Sequence, residues 1–423
     1  MLAGVLVSAL SLLGLTTSAY SAQRHFQLQV ASTSPYDKYD STDAGLFSPV
    51  GDLNALSASE FTTLSHPAFP RHSVRVKKSH FCDGNVRVVS DNATVYNPHA
   101  WNSHANVFFI DQPVGVGYSY AEFGETVNTS QEGGKDIAAF VAIFFEHFSK
   151  LKGRIDTRSD TVSFRQGTYI PAFAAAIYDQ NAKLVEKGLT PVNLSSIMLG
   201  NGCTQDSTML PSYYDMQCLN GSVPPVTDIA DGKFEETFCY PIFLQISTYL
   251  NTSYMRTTLG VDPAVGDYFF ASWDVNTAFE ESMDGAFPSQ YYVAALLERG
   301  VRVLVYVGDV DLVCNWIGNE RMTLGLEWTG QHEFTALPLR KWTVDGGAAG
   351  LTRSFGPLTF VTISDAGHMP HNFHAQSPAC GHVLPHATAF SRSSLFFFDF
   401  ALHAGPELFL PEDDEQPDPW LID

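Results

Sequence analysis

Apolar residues along the chain fall into two kinds of run. Short β-branched or aromatic runs recur at 86–89, 107–110, 197–199, 301–307 and 358–363, the pattern of strands buried on both faces. Between them lie stretches with helical spacing: 134–151, rich in Ala and Phe, then 172–187 and 288–299. Strand alternating with helix predicts an α/β domain on a mostly parallel central sheet with helices on both faces. That domain is expected over 76–402. Residues 20–75 are polar, rich in Ser, Thr and Pro, and lack a sustained period, which reads as a loosely structured leader or propeptide-like region. Residues 403–423 include Pro411-Glu-Asp-Asp-Glu415 and read as a solvated acidic tail. No internal repeat is visible.

The first apolar run is of another kind. It extends from Leu2 to Leu15 and closes on small residues, with Thr17 and Ala19 placed for a cleavage after Ala19. Although it lacks a basic start, this is the form of a secretory signal over 1–19. No later segment approaches the roughly 20 apolar residues that span a bilayer; the run at 395–400 is short and holds Asp399. Secretory entry gives meaning to Asn92, Asn128, Asn193, Asn220 and Asn251, each of which opens an Asn-x-Ser/Thr triplet and is a predicted glycosylation site. The 6 cysteines, Cys82, Cys203, Cys218, Cys239, Cys314 and Cys380, imply disulfides in an oxidising compartment. Six cysteines leave about 15 connectivities open.

Charge narrows the partners. Lys and Arg number 24 against 45 Asp and Glu, a formal net charge of −21. A nucleic-acid binder works through a basic face, so neither nucleic acid nor an anionic membrane surface is an expected partner. The one basic cluster, at 71–78, reads as a solvated strand edge.

In a parallel sheet, active groups sit on loops at the carboxyl ends of strands. The run 301–307 leads into Gly308-Asp-Val-Asp311, and 358–363 leads into Ser364-Asp-Ala-Gly-His-Met369. An acid after one late strand and a His after the next is the second half of the order Ser…Asp…His. The His takes a proton from a weak nucleophile while the buried carboxylate fixes its tautomer and stabilises the imidazolium. Two other patterns carry less. His368, His371 and His374 share a ligand-like spacing, but Pro370 opposes a regular helix and no carboxylate set accompanies them. Val114-Gly-Val-Gly-Tyr118 lacks the third glycine and distant acid of a dinucleotide loop.

The surrounding residues extend the hydrolase pattern. Tyr96-Asn-Pro-His-Ala-Trp-Asn-Ser-His-Ala-Asn106 leads to Asp111-Gln-Pro-Val-Gly-Val-Gly-Tyr-Ser119. Further on come Tyr169-Ile-Pro171, Leu199-Gly-Asn-Gly202, Val305-Tyr-Val-Gly-Asp-Val-Asp-Leu-Val-Cys-Asn-Trp316 and Ala366-Gly-His-Met369. In these segments the chain resembles serine carboxypeptidases of the carboxypeptidase Y type. The resemblance implies an α/β-hydrolase fold, here with a reduced cap because the Cys218 to Cys239 segment is short. It implies residence in the vacuolar lumen or outside the cell, and hydrolysis of C-terminal residues from peptides and proteins through an acyl-enzyme. Neither a metal nor an organic cofactor is implied, and oligomeric state is left open. Asp311 would be the triad acid and His368 its base, with Cys314 and Met369 beside the scissile bond as substrate-binding residues.

The chain also departs from that family, abruptly. The family nucleophile sits in Gly-Glu-Ser-Tyr-Ala/Gly-Gly, where this chain has Thr161-Val-Ser-Phe-Arg-Gln-Gly167. Phe164 takes the Ser position. Ser163, where the family has Glu, lacks the small neighbours that a strained elbow needs. A tract ending in Trp-x-Asn-Gly-Gly-Pro-Gly-Cys-Ser-Ser, which supplies an oxyanion-hole amide and groups for the substrate carboxylate, is absent before Tyr96. Loss of one oxyanion donor alone costs roughly 10²–10³ in turnover. Cys218 and Cys239 lack their family partners and are left to pair with each other. From Pro370 the chain is unrelated to the family. Departures this sharp, flanked by good matches, fit skipped or misread coding segments better than gradual divergence. A polypeptide of this sequence is expected to have little or no peptidase activity. The alternative is a carboxypeptidase-like pseudoenzyme that binds peptides or a protein partner. A general esterase is disfavoured by the Asn-Pro-x-x-Trp-Asn and Asp-Gln-Pro segments.

Overall fold

The runs Ile197-Met-Leu199 and Val303-Leu-Val-Tyr-Val307 are buried at every position, so both faces of the strands that hold them are covered, as a lack of polar alternation requires. The computed structural model describes residues 47–57, 60–76, 86–96, 107–121, 125–149, 154–159, 166–219, 242–269, 271–344, 346–368 and 395–397. Its strands are β1 (Thr62–Ser65), β2 (Ser73–Val76), β3 (Val86–Ser90), β4 (Ala93–Tyr96), β5 (Val107–Phe109), β6 (Arg154–Ser159), β7 (Asn193–Gly200), β8 (Arg302–Gly308), β9 (Arg340–Val344), β10 (Gly347–Phe355), β11 (Leu358–Ile363) and β12 (Leu395–Phe397). Its α-helices are α1 (Ser130–His147), α2 (Gln166–Asp179), α3 (Asn181–Glu186), α4 (Asp206–Tyr214), α5 (Ile242–Leu250), α6 (Ser253–Leu259), α7 (Trp273–Glu281), α8 (Gln290–Glu298), α9 (Trp316–Leu324) and α10 (Gln331–Ala336).

Eight strands form one sheet in the order β5-β12-β6-β7-β8-β11-β10-β9. From β5 to β11 every pairing is parallel, and β10 and β9 add an antiparallel edge. This is the mostly parallel α/β sheet that the sequence predicts. One strand falls elsewhere: β3, expected among the buried strands, pairs with β4 in a separate antiparallel hairpin. Its Val88 is buried against α5, in a satellite cluster with Phe243, Leu250, Met255 and Tyr268. An apolar run of four residues is too short a signal to separate a sheet strand from a hairpin arm.

Val303, Val305 and Val307 join Ile197, Leu199, Leu358 and Phe360 in the main core, with Ile137 and Val141 of α1, Ile170 and Phe173 of α2, and Val293 and Leu296 of α8. Each such side chain contributes roughly 1.5–3 kcal/mol when fully buried. Helix α1 starts four residues before the apolar spacing suggests, because Thr129 caps it by accepting from the Glu132 amide at 3.3 Å. The Ser130 amide and hydroxyl also donate to the buried Asp284 carboxylate at 2.8 and 2.6 Å. Helix α2 begins at Gln166 and carries Pro171 inside it. An interior Pro costs about 3 kcal/mol, and the complete burial of Ile170, Phe173, Ala174 and Ile177 outweighs that penalty.

The chain divides into units 1–47 and 48–423, and of the first only Phe47 is described. The stretch read as a leader therefore runs into the second unit. There β1 and β2 form a hairpin, and Leu64 and Leu56 enter the main core. His147 at the end of α1 accepts from the Val50 amide on Nδ1 at 3.3 Å and donates from Nε2 to the Ser65 carbonyl at 3.0 Å. A period of two cannot be seen in a four-residue strand with one buried side chain, so the hairpin is silent in the sequence. The signal-like run 1–19, most of the divergent stretch from 370 and the acidic tail 403–423 lie outside the described residues. Among the described residues no helix is long and apolar enough to cross a membrane.

Candidate active site

Three neighbouring strands, β7, β8 and β11, end at one place, and each delivers a loop. The end of β8 and the loop after β11 touch so closely that a side chain at Gly308 would meet the Ala366 and Gly367 carbonyls at 2.1 and 2.4 Å. Beyond them the Asp309 amide donates to the Ile363 carbonyl at 3.0 Å and the Val310 amide to the Ala366 carbonyl at 3.1 Å. The Asp365 amide returns to the Asp309 carboxylate at 2.8 Å. Asp365 turns the chain with φ +59°, a left-handed conformation that Asp tolerates better than most residues.

These contacts bring His368 to Asp311. Nδ1 of His368 lies 2.8 Å from Asp311 Oδ2, with the side chains 10% and 2% exposed. A carboxylate only accepts, so Nδ1 carries the proton and Nε2 is left as the nitrogen that can take one. Asp311 Oδ2 also accepts from Asn201 Nδ2 at 2.7 Å. Asp311 Oδ1 accepts from the Val313 and Cys314 amides at 3.0 and 3.3 Å. Burial pushes the Asp311 carboxyl up, but the His368 charge and the hydrogen bonds from His368, Asn201 and the Cys314 amide outweigh it and hold it below its ordinary value. Burial pushes His368 down, and the Asp311 charge and hydrogen bond raise it above its ordinary value overall.

The loop after Asp311 is anchored in turn. Asn315 caps α9 by accepting from the Gly318 amide at 2.9 Å, and its Nδ2 donates to Ser212 of α4 at 2.8 Å. Cys314, wholly buried, forms a disulfide with Cys203 in the loop after β7. The sulfur that the family resemblance places beside the scissile bond is thus disulfide-bonded in this structure. The near neighbour that decides this, Cys203, is 111 positions away in sequence. Cys218 is an exposed free thiol. Cys82, Cys239, Cys380 and Met369 lie outside the described residues, as do Ser163 and Phe164.

Strand β6 ends at Ser159 and α2 starts at Gln166, on either side of residues 160–165, which lie outside the described residues. Gly167, which keeps a family glycine, lies against the loop after β7: a Cβ there would meet the Thr204 amide nitrogen at 2.3 Å. Of the expected glycosylation sites, Asn92, Asn128 and Asn193 are exposed and Asn220 lies outside the described residues. Asn251 is partly buried, its Nδ2 donating to the Tyr268 carbonyl at 2.7 Å and its Oδ1 accepting from the Tyr268 amide at 2.6 Å. Sequence reasoning missed Asn201 as a site residue, although the segment Leu199-Gly-Asn-Gly202 was visible. A polar residue between two glycines at the end of a buried strand was the available signal.

The chain is similar to known proteins. The family model for serine carboxypeptidases matches residues 82–227 and 227–379. A carboxypeptidase Y of Candida albicans is 31% identical over 329 residues, which is 65% of this chain and 58% of that protein. The vacuolar serine-type carboxypeptidase ATG42 of Saccharomyces cerevisiae is 30% identical over 345 residues, 68% of this chain and 66% of that protein. The chain thus spans less than two thirds of the length of these relatives. Among solved structures, the prohormone-processing carboxypeptidase Kex1(delta)p of Saccharomyces cerevisiae superposes with a TM-score of 0.54 at 21% identity, covering 74% of this chain and 78% of the other. That likeness identifies the sheet as an α/β-hydrolase fold. With the family model matched over most of its length, the chain belongs to the serine carboxypeptidase family, in its carboxypeptidase Y branch.

Proposed function

We propose that this chain derives from enzymes that remove C-terminal residues from peptides and proteins through an acyl-enzyme. With Phe164 where the attacking serine belongs, it has little or no peptidase activity of its own. The observation that carries the reading is the Asp311–His368 pair, held at 2.8 Å in a buried cage of hydrogen bonds. In an enzyme with its serine, Nε2 of His368 takes the hydroxyl proton while Asp311 holds Nδ1 and stabilises the imidazolium. Without a hydroxyl at that place the relay has nothing to deprotonate and no acyl ester forms. Peptide or protein C-termini are the ligand class that this lineage supplies. The signal-like run 1–19, the disulfide and the vacuolar relative support an oxidising lumen, vacuolar or outside the cell.

The test is labelling of the purified chain with a fluorophosphonate, alongside release of free amino acids from blocked dipeptides. Neither signal is expected. Labelling at Ser163, or amino-acid release that a serine-directed inhibitor abolishes, would overturn the reading. Sequencing of the transcript across Val86/Arg87, residues 154–167 and Met369/Pro370 decides the remaining question. A message that encodes a Gly-Glu-Ser-Tyr elbow makes the natural product an active carboxypeptidase, and one that encodes this chain makes it a pseudoenzyme.

A further inference from the structure

Asn201 ties together the three strand ends that form the site. Only 1% exposed, it sits at the end of β7 with φ +46°. Asn adopts this left-handed conformation at lower cost than most residues. Its backbone amide donates to the Tyr306 carbonyl of β8 at 2.9 Å. Its flanking glycines allow the close approach. A Cβ at Gly200 would meet the Tyr306 hydroxyl at 2.2 Å, and one at Gly202 would meet Gly167 Cα at 3.0 Å. The side-chain amide is fully used: Nδ2 donates to Asp311 Oδ2 at 2.7 Å and to the Gly367 carbonyl at 3.3 Å, and Oδ1 accepts from the Gly308 amide at 3.3 Å.

From this geometry we infer that Asn201 is a positioning residue for the Asp311–His368 pair, an amide that spans from the acid to the backbone carrying the base. The inference rests on the proton-relay reading above and deepens it. The Val313 and Cys314 amides fix only one oxygen of the carboxylate. Held at one oxygen alone, the carboxylate could still tilt about that anchored oxygen through coupled side-chain rotations; Asn201 and His368 hold the other oxygen from two directions. The second N–H of the same amide holds Gly367, the residue before His368, so the separation of acid and base is set by one rigid planar group. A residue too short to bridge, such as Ser, or one with no side chain, such as Gly, cannot make both bonds.

The test needs no substrate, so it stands apart from whether the chain hydrolyses peptides. The full chain is examined by proton NMR for the far-downfield His368 Nδ1–H signal, assigned by its loss in His368→Gln, together with the titration of His368. Asn201→Gly, which tolerates the left-handed backbone, and Asn201→Ser are compared with the unsubstituted chain. The expected result is loss or broadening of the downfield signal and a fall in the His368 proton affinity of about tenfold, as a buried imidazole loses its aligned anion. An unchanged signal and titration with only a lower melting temperature would reduce Asn201 to a structural knot and overturn the inference. So would a raised His368 affinity with the signal retained, which makes Asn201 an electrostatic modulator and not a positioner. Failure of both variants to reach a native near-ultraviolet circular dichroism spectrum would likewise assign Asn201 to folding alone. Absence of the signal in the unsubstituted chain would remove the pair itself, and the inference with it.

Discussion

Asp311 and His368 each hold the other's charge in a place where neither could keep one alone. Asp311 titrates below its ordinary 3.8, so its share of stability is present above that value and is lost as pH falls through the lowered folded value. His368 titrates above its ordinary 6.5, so its share is fully present below 6.5 and is lost as pH rises through the raised folded value. The pair therefore contributes most between these two ordinary values. Melting temperature against pH, compared between the unsubstituted chain and Asp311→Asn, is expected to show a difference that peaks in that window and declines on both sides. Asp311→Ala, which strands three donors and a buried imidazolium, is expected to cost about 3–5 kcal/mol there by denaturant unfolding. Asn251 gives a second expectation at this scale. Its amide is paired on both sides with the Tyr268 backbone, whereas Asn92, Asn128 and Asn193 are exposed. Glycopeptide mass spectrometry of the secreted chain is expected to find glycan on the exposed three and none on Asn251.

Among the elements, β12 has consequences out of proportion to its length. Its three residues lie between β5 and β6, with Leu395 opposite Val107 on one side and Asp156 on the other. Without it, β5 would lose its one neighbour in the sheet and β6 would present an edge of unpaired N–H and C=O groups, each costly if buried and adhesive if exposed. A chain ending before Leu395 is expected to lose cooperative thermal unfolding and to elute as aggregate in size-exclusion chromatography. Retained monomer with an unchanged melting temperature would show that the strand is dispensable. Nothing in the apolar triplet at 395–397 marks it for a slot between two strands so distant in sequence. The long buried strands β7, β8 and β11 were legible because their apolar runs have no competing pattern. Helix α2 was legible only from Ala172 onward, since the rule that proline ends a helix yields here to burial of the turns around Pro171.

Across the molecule, the Cys203–Cys314 disulfide places a long covalent constraint on the site, with a sequence separation of 111. A cross-link of that span stabilises by about 4–5 kcal/mol in the chain-entropy account, and native disulfides typically give about 2–5. The double variant Cys203→Ser/Cys314→Ser is expected to lose stability in that range by denaturant unfolding. In the unreduced chain a thiol reagent is expected to modify the exposed Cys218 and to leave Cys314 untouched until reduction. A reactive Cys314 before reduction would contradict the pairing.

What the sequence determined by itself was whatever is written locally. Runs of β-branched residues set the central strands, an acid and a His followed two of those strands, and motif segments carried the family. The absent elbow residues were equally local, since they occupy consecutive positions. Tertiary structure alone decided which distant groups meet. Asn201 reaches Asp311 across 110 positions, Cys203 takes the sulfur of Cys314, and β12 enters a sheet whose neighbours precede it by far. Periodicity reports how a residue relates to its own strand or helix. The partner across a loop is set by the packing of the whole sheet, and no short window of sequence contains that information.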